Sequence, residues 1–135
     1  MVEDEGALRL FQTLAAELGV SRRSGISNEE IVERLLHPMV NESMRTLDEG
    51  ITQRSSDLDI VWIAGDGLPD HHGGSMFMAD GISLRHIAER LQAYGSMKGD
   101  RHDYWTVSPL LTGNVKEGQR VTAWHAGATH EEVIA

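Results

Sequence analysis

From Asn28 to Glu49 the residues Ile31, Val32, Leu35, Leu36, Met39, Val40, Met44 and Leu47 return at spacings of three and four. That period places all eight on one side of a single long helix, which any fold of this chain must cover. Its start is marked by Ser27 and Glu30, the two ends of a capping box in which the hydroxyl takes the Glu30 N–H and the carboxylate reaches back to Ser27. Gly50 marks its stop. Pro38 sits inside, where it removes one donor and crowds the carbonyl four residues earlier, so a kink is predicted near Arg34 to Pro38.

Shorter helices are predicted around this one. Ala7, Leu8, Phe11, Leu14, Ala15 and Leu18 form a helical face between Glu3 and Leu18, closed by Gly19. "SSDLDIVWIAG" reads as a short, central helix with a Ser cap and an acidic first turn, Asp57–Asp59, just as Glu29–Glu30 charge the start of the long one. "SMFMADGI" is a further short helix, Ser83 caps "LRHIAERLQAY", and Pro109 suits the first turn of "SPLLTGNVKEG". No repeat, low-complexity tract or hairpin signal interrupts this order. The expected architecture is all-α, a bundle of about five to six helices around one kinked helix. Residues 1–120 form the single domain, and 121–135 read as a tail or an exchange arm.

A chain of 135 residues can bury a core of its own, and the absence of cysteine removes disulfides, thiolate metal sites and cysteine nucleophiles. A cysteine-free chain fits the cytoplasm. The net charge of −9 disfavours nucleic acid and anionic membrane as partners. No apolar run is long enough to span a membrane, and the acidic first residues do not resemble a secretory signal. The chain starts at Met, which leaves a complete small product and a piece of a longer one both open.

The stretch "GDGLPDHHGGSMF", Gly65 to Phe77, gathers the residues with most chemical potential. Asp66, Asp70, His71 and His72 could form a mixed metal site, although adjacent histidines diverge on regular backbone. The plainer reading is structural: Gly65 and Gly67 take positive φ, Pro69 stiffens a turn, and Gly73–Gly74 lead the chain back to the core at Met76 and Phe77. His125 and His130 are weaker candidates. Phosphate-loop, dinucleotide-binding, serine-hydrolase and zinc-helix motifs are all missing.

Taken together, "EEIVERLLHPMVNESMRTLDEGITQRSSDLDIVWIAGDGLPDHHGGSMFMAD" and the later "YWTVSPLL" resemble the C-terminal helical domain of the 3-hydroxyacyl-CoA dehydrogenase family. The resemblance covers roughly residues 5–120. It is strongest to the second of the two tandem copies in multifunctional fatty-acid β-oxidation enzymes. It implies that the catalytic His–Glu pair and the nicotinamide site belong to a Rossmann domain outside this chain. NAD and CoA would then be met only through a partner domain, with no cofactor bound here. Glu33, in "IVER", occupies the place of the first copy's substrate-contacting Asn, so the resemblance implies no catalytic residue in this chain.

The second copy's role in the family is to pack against the first. The resemblance therefore implies a homodimer, or docking on a Rossmann-bearing dehydrogenase subunit, with Trp62, Met76, Phe77 and Met78 divided between core and interface. Two departures, Ser75 for the family's proline and Met78 for its aromatic, are expected to loosen the following helix. Asp70 replaces a basic residue, which weakens a CoA-binding role for the loop. Two alternatives stay open beside the pairing domain: a helical module that binds an acyl-CoA or other small molecule, and a metal-dependent enzyme using the Asp66–His72 loop.

Overall fold

In the computed structural model the described residues are 4–20, 23–97, 103–122 and 124. Among them are six α-helices and no strand, as the periodicities predict. Helix α1 (Glu5–Glu17) is capped by Asp4, whose Oδ1 accepts the Gly6 N–H at 2.8 Å. None of its residues is buried, and Phe11 is 69% exposed.

Helix α2 (Asn28–Asp48) is continuous across the buried Pro38. Only half of the expected capping box forms. Ser27 Oγ accepts the Glu30 N–H at 3.1 Å, but the Glu30 carboxylate pairs instead with Arg23 and, at 2.8 Å, with Arg34. Two guanidinium groups outcompete one backbone N–H for a carboxylate, because both members of each bond are charged.

Helix α3 (Ser55–Ile60) runs into a single π turn at Val61–Gly65. The sequence predicts a central helix here, but only Ser55 and Leu58 of α3 are buried, while Ile60 and Val61 are exposed. The wider i→i+5 turn shifts the helical phase, so the apolar run no longer presents one continuous face inward. A 3₁₀ turn at Asp70–His72 follows. Gly67 has the expected positive φ of 74°, whereas Gly65 lies within the π turn.

Helices α4 (Ser75–Ile82) and α5 (Leu84–Gly95) come next. Asp59 does not serve its own helix: its Oδ1 accepts the Met76 N–H at 2.7 Å and the Phe77 N–H at 3.4 Å, capping α4 from α3. Gly74 has φ +89°, and a Cβ there would lie 2.4 Å from Asp59. Ser75 does not loosen this start, being fully buried with its Oγ 3.2 Å from Ser43 Oγ. Ser83 precedes α5 but makes no side-chain cap, and its φ is +96°.

Helix α6 (Pro109–Glu117) has Pro109 in its first turn as expected, is capped by Ser108, whose Oγ accepts the Leu111 N–H at 3.1 Å, and has a left-handed Gly118 at its end. Asn41, buried on α2, fixes the approach to it, donating to Thr106 O and accepting from Ser108 N–H, both at 2.8 Å.

Helix α2 packs against α4, α5 and α6. Val40, Met44 and Leu47 from α2 meet Met76 and Ala79 of α4, Ile87 and Leu91 of α5, and Leu111 of α6 in one core. Val121 is fully buried in the same core and Trp124 packs against it, so these two residues of the expected tail are packed with the domain. Asp80 anchors them by accepting the Val121 and Thr122 N–H groups at 2.9 and 3.0 Å. Residues 123 and 125–135, with His125 and His130 among them, lie outside the described residues. No helix among the described residues is long and apolar enough to cross a membrane.

Candidate functional site

A cluster of ionisable side chains lies where α2 faces α5. Glu33, 8% exposed, receives three donors. His86 Nε2 donates to its Oε1 at 3.1 Å, Arg90 Nε to its Oε2 at 2.6 Å, and the Tyr94 hydroxyl to the same Oε2. Arg90 Nη2 also reaches the Tyr94 oxygen at 2.6 Å. Arg34 lies over the Tyr94 ring, its guanidinium carbon 4.2 Å from the ring centre, and Trp105 packs on the same ring at 5.3 Å. Cation and ring faces thus close the cluster on one side.

Burial works to raise the Glu33 carboxyl, but the bonds from Tyr94, Arg90 and His86 outweigh it and hold it at about 2. Glu33 is therefore a fixed carboxylate at any physiological pH. His37, one turn further along α2 and 2% exposed, is pushed the other way: burial lowers its imidazole below the ordinary range and keeps it neutral, against the pull of Glu33. Its Nδ1 is buried without a hydrogen-bond partner. The His37 and His86 rings meet edge to face with centres 5.7 Å apart. A groove of about 360 Å³ opens beside them, lined by Val32, Leu36 and Ile82 as well as by Glu33 and the two histidines.

Glu33 was singled out from the sequence; His37, His86, Arg90 and Tyr94 were not. A signal existed in the spacing, since Glu33–His37 and His86–Arg90–Tyr94 each repeat every four residues and so form a ridge along one helix face. Which two ridges oppose each other depends on how α2 packs against α5.

The loop candidates do not converge. Asp66, Asp70, His71 and His72 are all exposed, and the two histidine rings lie against each other with centres 4.2 Å apart. Among the described residues, the group of three acidic or histidine side chains with ligand atoms close enough to share a metal ion is Glu33, His37 and His86. Of the four interface candidates, Met76 is wholly in the core, Phe77 is 61% exposed, Met78 is half-buried, and Trp62 is half-buried with its Nε1–H on Ser43 Oγ at 3.0 Å.

No family model matches the chain. It is similar to the peroxisomal bifunctional enzyme of Danio rerio, at 35% identity over 109 residues, which is 81% of this chain and 15% of that protein. The human peroxisomal bifunctional enzyme is 44% identical over 69 residues, 51% of this chain and 10% of that protein. The peroxisomal fatty acid beta-oxidation multifunctional protein AIM1 of Arabidopsis thaliana is 45% identical over 75 residues, 53% of this chain and again 10% of that protein. The chain spans about a tenth to a seventh of the length of these curated relatives. It is thus homologous to one short segment of multifunctional fatty-acid β-oxidation enzymes.

Proposed function

We propose that the chain is a pairing module of the 3-hydroxyacyl-CoA dehydrogenase C-terminal type, corresponding to the second helical copy. It associates with another copy of itself or with a Rossmann-bearing dehydrogenase subunit, and is not catalytic alone. The observation that carries this reading is the uneven cover of the α2 stripe. Val40, Met44 and Leu47 are buried, whereas Ile31, Val32 and Leu35, all before Pro38, are 46%, 51% and 62% exposed. An apolar helical face left open over more than one turn is a feature of surfaces that meet a partner. Two-fold pairing is the commonest way to cover one. NAD and CoA enter only through the partner's domain.

Light scattering on the chain at micromolar concentration, alone and mixed with a Rossmann-bearing dehydrogenase subunit from the same cell, tests the reading. A dimer or a mixed complex is expected. A monomer that also ignores the subunit overturns it, as does NADH consumption with acetoacetyl-CoA by the chain alone above the blank rate. The compartment is read as cytoplasmic from the cysteine-free sequence, although the named relatives are peroxisomal, and cell fractionation decides between the two.

The alternative, an acyl-CoA-binding helical module, has the apolar part of the α2–α5 groove in its favour. Against it stand the Glu29 and Glu33 carboxylates on the groove wall, which repel the phosphates of a CoA.

A further inference from the structure

We infer that Glu33, His37 and His86 form a binding site for one divalent transition-metal ion of the zinc class, at the head of the α2–α5 groove. One ligand atom from each of the three side chains lies within 4.8 Å of the other two. In a tetrahedral zinc site with bonds of about 2.0–2.1 Å, ligand atoms stand roughly 3.4 Å apart. Closing the difference needs side-chain rotation and no rebuilding of the helices: His86 is exposed and already bonded to Glu33 Oε1, and Glu33 and His37 are fixed one turn apart on the same element.

Two further features point to a cation. The first is the orphaned Nδ1 of His37, a buried imidazole nitrogen that no group among the described residues satisfies. Such a group carries a cost unless a water or an ion meets it. The second is the division of labour on the Glu33 carboxylate. Arg90 and Tyr94 hold Oε2, leaving Oε1 aimed at the histidine pair with His86 as its one partner. Outer hydrogen bonds of this kind orient a metal-binding carboxylate. The donor set, one carboxylate and two imidazoles, suits zinc or iron(II) better than calcium or magnesium, which favour oxygen ligands throughout.

Binding exchanges the His86 Nε2–H···Oε1 bond for two metal–ligand bonds, with the displaced proton released to solvent or moved to the other ring nitrogen. The Arg90 guanidinium opposes the incoming charge. Glu29, on the same groove wall, and the net charge of −9 act in its favour. A water or an anionic group entering from the groove that these three residues line would complete the coordination.

The test is titration of the purified full chain with zinc(II) by calorimetry, and with cobalt(II) followed by visible absorption. About one equivalent is expected at the site, with cobalt giving the intense bands of a low-coordinate ion. His86→Ala, on the surface, should fold and weaken binding about tenfold or more, while the double variant H71A/H72A should bind as the parent does. Proton NMR supplies a check independent of any variant, since zinc must move the ring signals of both His37 and His86. Unchanged ring signals, full affinity in H86A, or loss of binding in H71A/H72A each overturns the proposal.

Discussion

The Asp59 carboxylate on α3 sits 2.7 Å from the Met76 backbone nitrogen, so the first free N–H groups of α4 are capped by a residue seventeen positions upstream. Burial pushes this carboxyl up, against the two backbone bonds that stabilise its charge, which means that the site wants an acceptor oxygen more than it wants a negative charge. Asp59→Ala is expected to cost about 1–2 kcal/mol in urea unfolding, and Asp59→Asn to recover most of that. Equal losses for the two variants would show that charge and not the acceptor matters.

Gly74 and Ser83 bracket α4 and give opposite expectations. Gly74→Ala places a methyl 2.4 Å from Asp59 at a φ of +89°, so it should be strongly destabilising, by roughly 3 kcal/mol or more. Ser83 is exposed at φ +96° and its hydroxyl caps nothing, so Ser83→Gly should stabilise by about 0.5–1 kcal/mol. Thermal unfolding of both variants checks the pair.

The helices themselves were legible in the sequence, and the reasons are local. Ser27, Gly50 and Pro109 act within one turn of their own position, so each boundary follows from residues next to it. The sequence marks Asp59 as a charge for its own helix, and the structure turns it to α4 because the Met76 N–H it meets is brought near only by the turn through Gly73–Gly74. The same holds for the site. Glu33 stood out, but its partners lie more than fifty residues away on α5, and no periodicity within α2 indicates them.

Glu33→Gln leaves a neutral amide facing Arg90, an uncompensated guanidinium at the edge of the core. A loss of about 2–3 kcal/mol is expected, with Tyr94→Phe costing about 1 kcal/mol. A double-mutant cycle between positions 33 and 90 should show coupling of about 1 kcal/mol or more. Additive losses would mean that the two side chains act separately.

Acid should weaken the fold in two stages of the same sign. Below about pH 6.5 the unfolded chain protonates His37 before the folded one does, because burial depresses the folded imidazole. Below about pH 4.5 the unfolded chain protonates Glu33 while the folded carboxyl, held at about 2, stays charged. Its contribution is whole above that window and is lost as pH falls toward 2. Urea midpoints measured with chelator present at pH 7.5, 5.5 and 4 should decline throughout, and E33Q should flatten the lower stage. A midpoint independent of pH contradicts both assignments.

Leu35→Glu changes a side chain that is 62% exposed and outside the core cluster of Val40, Met44 and Leu47. It should leave the unfolding midpoint of the isolated chain within about 0.5 kcal/mol of the parent and shift the association equilibrium toward monomer by roughly tenfold or more. Sedimentation velocity across a dilution series reads this directly.

The buried apolar side chains of α2 begin at Pro38, and the open ones end before it. On the proposed pairing, selection for what the chain adheres to acts on the exposed Ile31, Val32 and Leu35, while selection for folding acts on the rear half and, within the forward half, on the buried Glu33 and His37. Substitutions confined to those three exposed positions would alter the proposed pairing surface and leave the buried residues untouched, which suits a segment that matches a short part of much larger proteins.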